Sequence, residues 1–153
     1  MRDRISSFDA IPILDKSIIE TEKVLLDLIR FQILEGENAD GSNLPVYSRE
    51  SYDNGYIDFK LDSGKFPINT LPHYNLHLTG DFLESMGIKI ENKFYSIDSV
   101  GRALDDGLKQ LMDKENKGGM DAVYGLSSKS MEEYKKTLFP VFMKHAKAHF
   151  DFN

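Results

Sequence analysis

The chain has 153 residues, 41% of them hydrophobic, with 10 Phe and 7 Tyr: one domain's worth of sequence with enough apolar mass to bury a core. It contains no Cys, which excludes a disulfide framework, a thiolate nucleophile and cysteine-ligated zinc or iron–sulfur clusters. A formal charge of -6, with Lys and Arg scattered among the acids, argues against a phosphate-gripping surface. The opening Met-Arg-Asp-Arg-Ile-Ser-Ser-Phe lacks the apolar centre of a signal peptide, and no run approaches the length that spans a bilayer. The expectation is a soluble single domain over residues 1–153, with no membrane partner and no specific nucleic-acid binding.

From Ile13 to Glu35, Leu14, Ile18, Leu25, Leu28 and Ile29 recur at helical spacing, and Val24, Leu26, Phe31, Ile33 and Leu34 widen the stripe. Asp9 can cap this helix, Pro12 is tolerated in its first turn, and Gly36 can end it in a left-handed conformation. So wide a stripe predicts contact on more than one side, with the rest of the domain or with another subunit. The polar residues Glu37 to Asn43 then predict a mobile loop within roughly 36–46. Its acids invite a calcium reading, but Gly36 and Tyr47 occupy the two ends where the EF-hand pattern needs ligands.

Tyr52, Tyr56 and Phe59 follow Ser48 at spacings that predict a short helix, weakened by Gly55, and a second mobile loop falls near 62–72. Between Leu71 and Met86 the alternation of Leu76 and Leu78 predicts an extended segment. It runs through Thr79-Gly80-Asp81 into a helical turn with Phe82, Leu83 and Met86 on one side, and Thr79 has the chemistry of its cap. Gly87–Glu91 and Phe94–Asp98 alternate about Asn92 and predict a hairpin. Ser99 or Asp98 would cap a helix from about Val100 to Lys114 that points Leu104, Leu108, Leu111 and Met112 inward, ended by Asn116-Lys117-Gly118-Gly119.

After the connector Met120–Leu126, Ser127 or Ser128 caps a closing helix. Along it Met131, Tyr134, Leu138, Phe142, His145 and His149 form a heptad-like seam, and Pro140 is expected to kink or split it. The fold class expected is α+β: a small antiparallel sheet or hairpin packed against a long N-terminal helix and C-terminal helices.

Catalytic constellations are scarce in this pattern. His145 and His149 have metal-ligand spacing on a helix, but Ala146 and Lys147 stand where a zinc-protease helix carries its Glu. His73 and His77 on an extended segment would lie ~13 Å apart, too far for one metal. No Gly-x-Ser-x-Gly occurs, and Gly118-Gly119 is not followed by the Lys-Ser or Lys-Thr of a phosphate loop. Asp105-Asp106 and Glu132-Glu133 read as solvated charge pairs on helix faces. The residues nominate no catalytic, cofactor-binding or metal site, and no cofactor.

The order of these elements, with Pro45-Val46-Tyr47-Ser48-x-x-x-Tyr52, Leu76-x-Leu78-Thr79-Gly80-Asp81-Phe82-x-x-Ser85-Met86 and Tyr124-Gly125-Leu126 before a closing helix, resembles the tail-completion and neck proteins of tailed bacteriophages, also called virion-morphogenesis proteins. The chain departs from that pattern at Asp53-Asn54-Gly55, where a basic run is usual, and lacks the histidine often found after the hairpin. The resemblance covers Leu44 to the end. It implies a small α+β subunit that catalyses no reaction. Its copies would form a ring between portal and tail, with itself and adjacent portal, adaptor or tail proteins as partners. The location implied is the neck or tail of the virion, after synthesis in the bacterial host cytoplasm. The alternative from residues alone is an intracellular protein-binding or regulatory module whose C-terminal helix pairs with a partner.

Overall fold

The first long helix, α1 (Ile11–Leu34), is bounded by local chemistry. Asp9 Oδ1 accepts the Ile11 N–H at 3.0 Å, and Pro12 occupies the first turn, where a missing amide costs nothing. At the other end Gly36 takes φ 75°, which lets its N–H reach the Ile33 carbonyl and the Glu37 N–H reach that of Gln32. That pair of bonds is the Schellman termination, and it needs a residue free to enter the left-handed region.

In this computed structural model the described residues are 9–46, 76, 81–91, 94–99 and 106–151. They form α1, a short α2 (Asp81–Glu84), strands β1 (Met86–Glu91) and β2 (Phe94–Ser99), α3 (Asp106–Glu115), a 3-10 turn (Met120–Val123) and α4 (Ser128–Asp151). This is an α+β fold, with one antiparallel hairpin between long helices. The Tyr52–Phe59 stripe, the 62–72 loop, the Thr79 cap and residues 100–105 lie outside the described residues.

One core holds these elements together. Leu25, Leu26, Ile29 and Ile33 of α1 meet Leu44, Leu76, Phe82, Leu83, Met86, Met112, Met120, Val123 and Tyr134, all buried. Phe82, Leu83 and Met86 face inward as the junction reading requires. Leu76 departs from the extended reading: its φ is 50°, a left-handed conformation of order 1–3 kcal/mol above the ordinary regions, retained because its side chain is held in the core.

The hairpin pairs Met86 with Ser99 through to Glu91 with Phe94, leaving a two-residue connection. Lys89 reaches diagonally across it to Asp98 at 3.1 Å. Ser99 lies in β2 itself, its hydroxyl 3.0 Å from that of Tyr124, and the described part of the following helix begins at Asp106. Gly118 and Gly119, at φ 93° and 64°, end α3 as expected. A Cβ on Gly119 would meet Asp113 Oδ1 at 2.6 Å, an oxygen already engaged by the Met120 N–H.

α4 packs along α1. Tyr134 is buried against Thr21, whose hydroxyl hydrogen goes to the Ser17 carbonyl at 2.8 Å. The Tyr134 hydroxyl therefore donates to Thr21 Oγ1, 2.8 Å away. Pro140 does not split the helix: α4 runs unbroken from Ser128 to Asp151 with Pro140 inside it. Pro140 and Lys136 are both exposed, so the carbonyl that loses its amide partner is open to water.

The polar stretch after Gly36, read as a mobile loop, is folded on itself. The Asn38 N–H bonds the Ser42 carbonyl at 2.7 Å, the Leu44 N–H bonds that of Gly36 at 2.6 Å, and Leu44 is buried. The Asn38 and Asn116 side chains, both buried, exchange amide hydrogen bonds of 3.0 and 2.9 Å. Such a pair satisfies both amides only while both are present. Replacing either Asn38 or Asn116 by Leu is expected to cost about 1–3 kcal/mol, the usual penalty for stranding a buried polar group, measured by urea denaturation. Asn38→Leu with Asn116→Leu should cost less than the sum of the two; strict additivity would mean that the amides do not act as a pair.

Candidate functional site

Where the early part of α1 diverges from the middle of α4, an open groove of about 490 Å³ remains. Ala10, Ile11 and Leu14 line it from one helix, and Leu138, Phe139 and Phe142 line it from the other, together with Lys135. Its walls are almost wholly apolar, so its capacity is to take up an apolar side chain rather than to polarise a bond. Phe139 is 64% exposed there, an unusual position for so large an apolar side chain.

The seam predicted on the closing helix is divided by the structure. Tyr134, Leu138, Phe142 and His145 lie in its central, covered part, while Met131 and His149 at its ends are exposed. The helix on which that central part packs is the chain's own α1. A neighbouring stripe, Phe139 and Met143, is left exposed, with Phe139 also lining the groove. Its signal in the sequence is an i, i+4 apolar pair displaced by one position from the seam, and only the placement of α1 decides which stripe is covered.

His145 and His149 do not act together. His145 Nε2 lies 2.7 Å from Glu20 Oε2, and Lys144 Nζ lies 2.9 Å from Glu20 Oε1, so both carboxylate oxygens are used in tying α4 to α1. The Lys144 hydrogen bond first, and that of His145 second, hold the Glu20 carboxyl below its ordinary range. His149 instead makes an edge contact with Phe150, ring centroids 5.7 Å apart. Among the described residues no group of three or more His, Asp or Glu is arranged to hold a metal; His73 and His77 lie outside them. Glu132 and Glu133 are exposed and paired with Lys135 and Lys136, the solvated arrangement expected. Asp105 falls outside the described residues. Among those residues no helix is long and apolar enough to cross a membrane.

A second cleft, about 240 Å³, separates α1 from β1 and is lined by Ile18, Ile19, Glu22, Ile88 and Ile90. Two polar ties join α1 to the hairpin. Glu22 Oε1 accepts the Ile88 N–H at 3.3 Å, covering a donor that the strand would otherwise present sideways, and the Tyr95 hydroxyl donates to Asp15 Oδ1 at 2.6 Å. Along the hairpin Met86 is buried, whereas Phe94 is 78% exposed.

Comparison of the chain with protein-family models, with curated proteins and with solved structures finds no match.

Burial, and after it the hydrogen bond to Asp15, pushes the Tyr95 phenol up to about 12. A raised pKa stabilises the folded state fully below the unfolded phenol value of about 10, and the contribution disappears as pH climbs through the folded value. Tyr95→Phe is therefore expected to lower stability by a constant amount up to about pH 10, with the difference from wild type shrinking towards pH 12. Parallel urea titrations of the two proteins read this directly, and a difference unchanged to the top of that window would show that the hydroxyl is not the tie.

Proposed function

We propose that this chain is a non-enzymatic structural subunit of a tailed-bacteriophage head-to-tail connector, assembling as a ring that completes the neck or terminates the tail. The observation that carries the reading is the order of short motifs along the sequence: Pro-Val-Tyr-Ser, then Leu-Thr-Gly-Asp-Phe, then Tyr-Gly-Leu before the closing helix. The described elements agree with that order, since a long helix precedes a helical turn at Asp81, a hairpin and a long final helix.

The geometry supports a role in assembly. A groove with apolar walls and large exposed side chains at Phe31, Phe94 and Phe139 are features of a surface meant to be covered by protein. Its partners in this reading are further copies of the chain and the adjoining portal, adaptor or tail proteins. Its place is the virion, after synthesis in the host cytoplasm. The work is geometric: α1 and α4, tied at Gln32, Thr21 and Glu20, fix the spacing between outward faces.

The alternative of a binding or regulatory module is favoured by one feature, the Phe139 and Met143 stripe, which presents a helix face to any partner with a matching groove. Quantitative mass spectrometry of purified virus-like particles from the source separates the two. A constant, small ratio of this chain to the portal protein is the expected result. Absence of the chain from particles would overturn the connector role and leave the regulatory reading.

A further inference from the structure

Two exposed apolar stripes on different helices are bordered by opposite charges, and we propose that the α4 stripe of one copy of this chain docks on the α1 stripe of the next. On α1, Val24 and Phe31 stand two turns apart and are 38% and 61% exposed. Glu35 follows one turn after Phe31 on the same face, exposed and with no ion-pair partner among the described residues. On α4, Phe139 and Met143 stand one turn apart, 64% and 37% exposed, and Lys147 follows one turn later. Lys147 is likewise exposed and without an ion-pair partner among the described residues.

Residues 11–35 hold five acids against three bases, and residues 128–151 hold five bases against three acids. Glu20 and Lys144 already pair with each other within the chain, so the excess left for a neighbour is Glu35 on one helix and Lys147 on the other. Docking the two faces brings these opposite charges together while the apolar stripes leave water, the arrangement that gives both affinity and register. The same two faces of one copy cannot satisfy each other, because Gln32, Thr21 and Glu20 already hold α1 and α4 together through different sides. Because the two faces differ, a head-to-tail contact has every copy offering one face and receiving on another, and repetition gives a ring where the rotation closes. The ring-subunit reading is needed only for where this contact forms; the contact itself is a property of the purified chain.

The test uses the full-length protein in sedimentation over a concentration series. Wild type is expected to associate beyond a dimer. Phe31→Asp and Phe139→Asp should each weaken association roughly ten- to hundredfold, the scale of losing a central apolar anchor. An equimolar mixture of the two variants should give a one-to-one pair and nothing larger, because each supplies one intact face. Glu35→Lys should weaken assembly, and adding Lys147→Glu to the same chain should restore it, which keeps the test decisive if either Asp variant misfolds. A wild type that stays monomeric, a dimer unaffected by Phe31→Asp, or a mixture that does not pair overturns the proposal. A chain that associates this way yet is missing from particles defeats the connector role alone; a monomer present at fixed ratio in particles defeats this contact alone.

Discussion

One buried amide decides where the closing helix begins. Gln32, in the last turns of α1 and 2% exposed, accepts the Ser127 N–H on its oxygen at 2.8 Å and donates from its nitrogen to the Gly125 carbonyl at 3.2 Å. Those are backbone groups of a segment with no regular partner of its own, since Ser127 stands before the first turn of α4. Its N–H and the Gly125 carbonyl would otherwise be partly or wholly desolvated without a bond, which costs far more than the bond itself returns in water. Ser127 in turn caps α4, its carbonyl taking the Met131 N–H at 2.8 Å. The direction in which α4 leaves, and hence every contact it makes with α1, follows from that anchor.

Further along, the same two helices are joined by Thr21 with Tyr134 and by Glu20 with Lys144 and His145. The ties differ in kind. The first is enclosed and neutral, and burial keeps the Tyr134 phenol protonated by raising its pKa. The second is half in solvent, where an ion pair contributes little energy but restricts how one helix can slide on the other. On α4 the groove at Leu138, Phe139 and Phe142 lies between these ties, and on α1 it is lined by Ala10, Ile11 and Leu14, ahead of Glu20 and Thr21.

Much of this architecture was legible in the sequence because it depends on short-range pattern. The period of 3.6 through Ile29 and Ile33, the stop at Gly36, the alternation either side of Asn92 and the capping chemistry of Ser127 all act within a few residues of themselves. What could not be read were the polar residues whose partners are distant. Gln32, Asn38 and Asn116 look like surface amides in a linear scan; their burial depends on residues 78 to 95 positions away. The unbroken helix through Pro140 was hidden for a related reason, since only the exposure of that turn shows that its lost hydrogen bond can be replaced by water. For the groove, Leu138 and Phe142 followed from spacing, whereas the exposure of Phe139 required knowing which side α1 takes. The width of the α1 stripe did signal a second face, and Val24 and Phe31 are the part of it left uncovered.

The ties between α1 and α4 also constrain how the protein is made. They join residues 95 to 125 apart, so α1 is completed by an element made about a hundred residues later. While the chain is growing, Leu25, Leu26 and Ile29 lack later core residues such as Met112, Val123 and Tyr134, and this helix remains an amphipathic segment with its apolar side open. Loop closure over so long a separation must precede the contacts that reward it, which places this fold among those that gain their stability late and depend on restraint of premature association in the meantime.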